Sequence, residues 1–484
     1  MMLLRNLGRT LRFVSGACLA SLLIVAPLNF GSTRPGGPAL IALVCAAATV
    51  LWAASLVLSH RRPEVPIAAA SAAAAFMLAA LPWLTGIAQP TPTADFTQTH
   101  FAHVTARWPV GILSLPPSAA LLLLPALVAA FLPLIDLARE RFWSRTFAFS
   151  IVLAATLVGL LAFAQNHTEA TGIYWREDGR MPGTFSGTFF HHTSAGAFFN
   201  TAWPMAFAFT WLGWHTPRHS VASRLLTALA AFALVFLLAA HGSHVARFPL
   251  FAALLVAPLL IFGLGVKISG SHSWLYVVAG ASALLMCVFI GGRADSIGAR
   301  WSALFVPAEA RLIQPPESAW PTLLRDDLAI PYTSHPGWFG DRMFGWRAAL
   351  DAIAERPLTG HGPGNWMGAA SQHSTDPFVR TFYQFLQFAH QDPLQSAVEW
   401  GLPAALSFWS LLIGALAVVA HRRLRQRISP LDAQSALAFA AGCGLAAVLL
   451  QSQLDFPLQI PAVALNAVAL AALCWAAALP SPVA

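Results

Sequence analysis

The fold is decided by the stretch from Gly360 to Leu402, GHGPGNWMGAASQHSTDPFVRTFYQFLQFAHQDPLQSAVEWGL. It begins with Gly360, Gly362 and Gly364 at alternate positions, passes through an aromatic run and reaches His390 immediately before a long apolar segment. The glycines predict a turn rather than a phosphate-binding loop, because no strand precedes them. The apolar segment is long enough to cross a lipid bilayer.

The composition indicates that membrane-spanning segments make up much of the whole chain. Of the 484 residues, 57% are hydrophobic and only 10% are charged, and the mean hydropathy is +0.64. A soluble protein of this length is far less apolar. A net charge of +8 would suggest a nucleic-acid partner in a soluble protein, but here the arginines fall at the ends of apolar segments. We therefore expect an all-α polytopic membrane protein with no nucleic-acid partner.

Apolar segments of about 20 residues recur along the chain. They lie at roughly 11–30, 38–59, 65–86, 117–136, 146–165, 193–212, 225–242, 248–266, 273–292, 397–420, 433–452 and 459–479. These predict about twelve transmembrane helices. The expected regions are an N-terminal membrane domain, a loop subdomain before the tenth span and a C-terminal membrane segment: 1–292, 293–396 and 397–484. The five cysteines all lie in apolar stretches and are expected to be buried thiols: Cys18, Cys45, Cys287, Cys443 and Cys474.

The distribution of basic residues predicts the orientation. With the N-terminus inside, the cytoplasmic side carries Arg5, Arg9, Arg12, Arg61, Arg62, Arg139, Arg141, Arg145, Arg218, Arg224, Lys267, Arg422, Arg423, Arg425 and Arg427. The short outer loops hold only Arg34, Arg107, Arg176, Arg180 and Arg247. Since cytoplasmic loops carry the excess of arginine and lysine, the 293–396 loop is expected on the outer side of the membrane.

The long loop has structure of its own. Trp346, Leu350 and Ile353 recur at helical spacing, and Pro357 ends that helix. The aromatic run 382–388 is typical of the membrane interface. We expect the loop to fold back onto the bilayer and cover a cavity among the spans.

A second helix start follows the aromatic run. Asp392 is the expected N-cap, with Pro393 at the first position and Gln395 at the offset of a capping box. His390 then lies just outside a helix N-terminus, where backbone N–H groups and the helix dipole favour an anion. A histidine in that position tends to stay neutral, as a base should.

Two further polar groups map to the same outer face as His390, namely Arg180 and Arg247. Arginine recognises a pyrophosphate by a planar fork of donors, although a lone arginine at the interface is ordinarily a snorkelling anchor. The pairs His100/His103 and His191/His192 lack the accompanying ligands of a metal motif. We expect no metal and no cofactor.

Three blocks of the sequence resemble the O-antigen ligase and polymerase superfamily of bacterial membrane glycosyltransferases. Trp346 to Trp366, WRAALDAIAERPLTGHGPGNW, is similar to the family's helix followed by P-L-x-G-x-G-x-G-N-aromatic. Ala389 to Leu402, AHQDPLQSAVEWGL, is similar to the family's A-H-N-D-x-L-Q-x-x-x-E-x-G-L. A weaker match is Gly187 to Asn200, GTFFHHTSAGAFFN, which looks like the family's G-T-F segment.

The resemblance implies transfer of a glycan from undecaprenyl pyrophosphate to an acceptor hydroxyl on the periplasmic face. It implies that His390 is the motif histidine and that Arg180 and Arg247 bind the donor pyrophosphate, with Arg176 competing for the role of Arg180. The remaining motif positions are structural: Gly360, Gly362, Gly364, Asp392, Gln395 and Glu399. Gln391 and Pro393 stand where the family usually has asparagine and an aromatic residue.

The acceptor stays open at this point. Lipid A-core would make the protein a ligase, another glycan chain a polymerase, and a protein hydroxyl an oligosaccharyltransferase. A transporter or flippase of lipid-linked sugars also fits about twelve spans, but ionisable residues are sparse within the spans and no paired broken helices stand out.

Overall fold

The computed structural model describes residues 2–34, 36–88, 117–176, 185–215, 247–264, 337–373, 388–425 and 432–479, together with 227, 229, 230 and 233. In this part of the chain the secondary structure is helical, and none of the residues forms a β-strand. The α-helices are α1 (Met2–Leu28), α2 (Gly37–Ser59), α3 (Ile67–Leu84), α4 (Pro117–Ala138), α5 (Arg141–His167), α6 (His192–His215), α7 (Arg247–Gly263), α8 (Gly337–Glu355), α9 (Trp366–His373), α10 (Asp392–Arg425), α11 (Ala433–Gln451) and α12 (Pro461–Ala476).

Seven helical segments within the described residues are long and apolar enough to cross a membrane. They are Leu3–Leu28, Gly37–Ser59, Ile67–Leu84, Ala120–Ala138, Arg141–His167, Leu402–Arg425 and Ala433–Gln451, and two shorter apolar helices are Ala252–Ile261 and Pro461–Ala476. The prediction of an all-α, multi-span membrane protein is therefore confirmed. The number of about twelve spans stays a prediction, because 273–292 and all but four residues of 225–242 fall outside the described residues.

Helix α12 forms the centre of the bundle. Every residue from Pro461 to Ala476 is buried, and the helix packs against α1, α4, α6, α10 and α11. Its many alanines allow neighbouring backbones to approach closely, as in membrane helix packing generally. Asn466 is tied to α6 inside this core, since its Nδ2 donates to Thr201 Oγ1 at 2.9 Å.

The outer surface of the bundle is apolar. Large side chains that point away from the core include Leu43 (69% exposed), Val50 (67%) and Leu406 (66%). In water such a girdle would be an aggregation hazard, whereas in a bilayer it faces hydrocarbon.

One end of the bundle carries three ion pairs, and the pair of Arg12 with Asp136 is buried. The Arg12 guanidinium contacts Asp136 and lies 2.9 Å from Glu140 Oε1, and Arg139 contacts Glu64. The described arginines that were expected on the cytoplasmic side all belong to the segments that meet here: Arg5, Arg9, Arg12, Arg61, Arg62, Arg139, Arg141, Arg145, Arg422, Arg423 and Arg425. We call this the basic end.

The opposite end, which we call the site end, is where α1, α3 and α11 finish and α6 and α10 begin. Trp83 Nε1 donates to Thr359 O at 2.6 Å, and Gln451 Nε2 donates to Thr193 O at 3.1 Å. All three blocks of motif sequence lie here. The predicted loop helix is present as α8, which ends at Glu355, two residues before Pro357.

The chain crosses from loop to membrane within one helix. The expected boundary between 396 and 397 falls inside α10, whose membrane-spanning section is Leu402–Arg425. Of the cysteines, Cys45, Cys443 and Cys474 are buried free thiols as expected, and Cys18 is half-buried. Cys287 lies outside the described residues.

Candidate active site at the start of helix α10

Helix α10 is broken at Gly401, where φ is 78° and ψ is 164°. That backbone conformation is open essentially only to glycine. The break frees carbonyl groups at the end of the first section, 392–400, and the glycine-rich loop that follows α8 satisfies them. His361 N donates to Val398 O (2.7 Å) and Gly362 N donates to Glu399 O (3.0 Å). In the opposite direction, Leu402 N of the second section donates to Pro357 O (2.7 Å).

The glycine-rich loop is the turn that its sequence predicts. Gly360, Gly362 and Gly364 have φ angles of 74°, 116° and 71°. At Gly360 a Cβ atom would also lie 2.5 Å from the backbone nitrogen of Gly401. Two glycines that are distant in sequence therefore allow the loop and the broken helix to touch.

Glu399 holds this loop from the helix side. Its side chain is buried and accepts hydrogen bonds from Gly364 N at 3.0 Å and Gln395 Nε2 at 2.9 Å. Burial raises the pKa of Glu399 to about 7, while bonds from Gly364, Gln395 and Trp366 act in the opposite direction. The carboxyl group positions backbone, and it is too enclosed to reach a substrate.

Asp392 does not cap its own helix, so the N-cap interpretation is wrong. Its carboxylate accepts hydrogen bonds from the connection between α11 and α12: Leu458 N (2.9 Å), Ser452 Oγ (2.9 Å) and Gln459 Nε2 (3.1 Å). Burial raises the pKa of Asp392 to about 7. The carboxylate therefore bonds to donors of the α11–α12 connection in place of the N–H groups of its own helix.

The first turn of this helix has fewer N–H groups available for an anion than the sequence suggests. Pro393 has no N–H group, the Asp392 N–H donates to Ser452 O, and the Gln395 N–H donates to Gln391 O. Gln395 does reach back, as in a capping box, but its Oε1 accepts from the Ala389 N–H at 3.0 Å. The first turn therefore binds protein at these positions.

His390 has a strained backbone, with φ of 51° in the left-handed region. For a residue other than glycine this costs about 1–3 kcal/mol and is found where surrounding structure enforces it, often at functional sites. The imidazole is half-buried and lies 4.9 Å from the ring of Phe456, on which Phe388 also stacks at 4.3 Å. His390 Nδ1 is 4.0 Å from Asp455 Oδ1. This is too long for a hydrogen bond, but close enough to stabilise an imidazolium.

The weaker G-T-F block meets the histidine block across the same phenyl ring. The ring of His191 lies 5.8 Å from that of Phe456, and Gln451 Nε2 donates both to Thr193 O and to Asp455 Oδ2. Two motif segments that are far apart in the chain are thus neighbours in the fold.

Of the three arginines that the sequence suggests for pyrophosphate binding, the structure describes Arg247 and Arg176. Arg180 lies outside the described residues. Arg247 is the first residue of α7, and the Asn200 Nδ2 bond to Pro249 O at 3.0 Å fixes that helix start beside α6. Arg176 is exposed and close enough to Tyr174 to act electrostatically on its phenol, whose pKa is raised by burial and lowered by the arginine.

Sequence reasoning missed two charged groups at this end. Asp455 is buried beside His390. The sequence could have indicated it, because Asp455 is the only carboxylate between the last two apolar segments. Arg34 had been assigned to the outer face without a role. Its guanidinium lies 3.6 Å from the ring centroid of Phe30 and 5.5 Å from that of Phe190, in a cation–π arrangement that sequence spacing does not predict.

The fold and site define a multi-span membrane protein with a half-buried histidine and arginines at one end of the helical bundle. Comparison with protein families makes this specific, since residues 184–409 match the family described as O-Antigen ligase. The match contains all three motif blocks and His390, and it supports a relationship to the O-antigen ligase superfamily. Its members are glycosyltransferase-like membrane enzymes. No curated protein matches the sequence.

Proposed function

We propose that this protein transfers a glycan from undecaprenyl pyrophosphate to an acceptor hydroxyl, on lipid A-core or a similar acceptor, at the periplasmic face of the inner membrane. The observation that carries the proposal is the placement of His390. The backbone of His390 is strained, and its imidazole lies beside the Asp455 carboxylate at the site end of the bundle. It also lies within the family match.

In this proposal His390 is the general base. It takes the proton of the acceptor hydroxyl while the oxygen attacks the anomeric carbon of the glycan. The bond from that carbon to the pyrophosphate oxygen breaks, and undecaprenyl pyrophosphate leaves with the electron pair. Asp455 stabilises the imidazolium that forms. A pyrophosphate is a good leaving group without protonation, so the base supplies the main proton transfer, worth about 10² to 10⁴ in rate.

The test replaces His390 by Ala, Gln and Asn in purified protein given lipid-linked glycan and acceptor in detergent. Asn is the informative variant, because it tolerates the left-handed backbone and keeps a donor but cannot act as a base. We expect transfer to fall at least about 100-fold in all three, with wild-type activity lower at acid pH, where the imidazole is protonated. Near wild-type turnover in His390→Asn or His390→Gln would refute the assignment.

His167 provides the matched control. His167 is exposed at the last residue of α5, which lies at the site end of the bundle, as His390 does. His167→Gln should therefore leave transfer unchanged. The same detergent assay separates the enzyme from a transporter or flippase, since only an enzyme consumes the lipid-linked glycan without a membrane gradient.

Arginines at the site end bind the two phosphates in this proposal. The candidates are Arg180, Arg247 and Arg176, to which the structure adds Arg34. Replacement by alanine should weaken donor binding with normal membrane insertion, and lysine should rescue poorly because it lacks the bidentate fork. Unchanged donor binding in all four alanine variants would return them to the role of interfacial anchors.

The periplasmic location is tested by cysteine labelling after the native cysteines have been replaced. Gln372 in α9 is exposed at the site end, and Arg62 is exposed at the basic end. In intact spheroplasts an impermeant thiol reagent should label Gln372→Cys, whereas Arg62→Cys should react only after lysis. The reverse pattern would invert the topology.

A further inference from the structure

Three metal-ligating side chains come together outside the proposed active site. They are Glu355, His361 and His373, and one ligand atom of each lies within 4.8 Å of the other two. Glu355 Oε2 is 2.9 Å from His373 Nε2. The two imidazole rings meet edge to face, with centroids 5.6 Å apart.

The fold delivers these residues from three separate segments. Glu355 is the last residue of α8, His373 is the last residue of α9, and His361 belongs to the glycine-rich loop between them. His361 is fully buried, and its backbone N–H is fixed to Val398 O at 2.7 Å.

One ring nitrogen of His361 is held by a backbone carbonyl. Its Nε2 lies 2.8 Å from Ala352 O, and since a carbonyl only accepts, Nε2 must carry the proton. The neutral ring then presents a lone pair on Nδ1. Histidines that bind metals characteristically donate their other ring N–H to a carbonyl or carboxylate in this way.

We propose that Glu355, His361 and His373 bind one divalent transition-metal ion, with zinc the best fit. Two imidazoles and one carboxylate form a common zinc ligand set, with a water molecule in the fourth position. Bonds of about 2.0–2.1 Å place tetrahedral ligands about 3.3 Å apart. The set must therefore contract slightly. Glu355 and His373 are 48% and 17% exposed at the side chain, so they can rotate toward the fixed His361.

The role of such an ion is structural. It would join the ends of α8 and α9 to the glycine-rich loop. Because the loop is bonded to Val398 and Glu399, the ion also stiffens the segment of α10 that follows His390. This inference is independent of the proposed transferase activity.

The test uses the full-length protein in detergent, freed of metal by a chelator and titrated with Co²⁺, a spectroscopic substitute for zinc. Wild-type protein should bind one Co²⁺ with visible absorption bands of tetrahedral type, and Zn²⁺ should displace it while Mg²⁺ does not. His373→Gln and Glu355→Gln, both at partly exposed positions, should each weaken binding at least tenfold. His167→Gln, at an exposed histidine of α5, should bind like wild type.

A second measurement guards against adventitious binding at other histidines. Zn²⁺ should raise the thermal unfolding midpoint of the wild type and of His167→Gln, but not of His373→Gln. Equal Co²⁺ affinity and equal zinc stabilisation in His373→Gln and His167→Gln would overturn the proposal. So would a wild-type protein that shows no tetrahedral Co²⁺ spectrum.

Discussion

Replacing Gly401 by alanine should damage the junction between α10 and the glycine-rich loop. A Cβ atom there would lie 2.4 Å from Leu358 O and 2.9 Å from Thr359 C. These are backbone atoms, so the loop itself must move. The backbone conformation adds about 1–3 kcal/mol of strain, and losing one or two of the junction hydrogen bonds adds about 1 kcal/mol each. We expect a total loss of about 2–5 kcal/mol.

Gly86→Ala is the matched control for this prediction. Gly86 also has positive φ, at 72°, but a Cβ atom there would meet nothing within 4 Å. Alanine should cost only the left-handed strain of about 1–2 kcal/mol. The two variants would be compared by chemical or thermal unfolding in detergent. Equal destabilisation would refute the reasoning, because it would mean that the close approach of the two backbones contributes nothing.

Two further predictions concern buried charges. Burial raises the pKa of Asp392 from 3.8 to about 7, so the folded state favours the protonated form, and this contribution to stability is lost as pH rises from about 4 to about 7. Asp392→Asn should therefore weaken the dependence of the unfolding midpoint on pH, and Glu399 should account for the dependence that remains. A midpoint that depends on pH as steeply as in the wild type would contradict this prediction. At the basic end, Arg12→Met removes the cationic partner of the buried Asp136 carboxylate and leaves it only the neutral donors Trp52 Nε1 and Glu64 N. This variant should cost about 3–5 kcal/mol. Adding Asp136→Asn should recover most of that loss, and a double variant as unstable as Arg12→Met would show that the charge is not the cause.

Sequence patterns predicted the fold well where one physical requirement dominates. A bilayer demands long apolar helices, and the described helices coincide with the expected apolar segments at both ends of the chain. Among the described residues, the arginines that the charge bias assigns to the cytoplasmic side belong to segments that meet at one end of the bundle. The end of α8 before Pro357 was equally predictable, because proline and glycine act locally.

The site was less predictable because its contacts are long-range. Asp392 followed by proline has the local signature of a helix cap, yet its carboxylate bonds to Ser452 and Leu458, which belong to a different connection. No residue near Asp392 in the sequence indicates that these donors will bind it. The cluster of Glu355, His361 and His373 is likewise invisible as a motif, because its spacing depends on how the glycine-rich loop turns.

In the proposed mechanism, the motif around His390 divides into one reactive side chain and a frame that holds it. Asp392 ties the first turn of α10 to the α11–α12 connection, and Glu399 ties the end of that section to the glycine-rich loop. The same connection carries Asp455 and Phe456, which contact the imidazole. A short helical section clamped at both ends can sustain the left-handed backbone of His390, whose strain of about 1–3 kcal/mol would otherwise relax. Variants of the frame should therefore reduce the rate by misplacing the imidazole, whereas only variants of His390 itself should abolish the pH dependence of transfer.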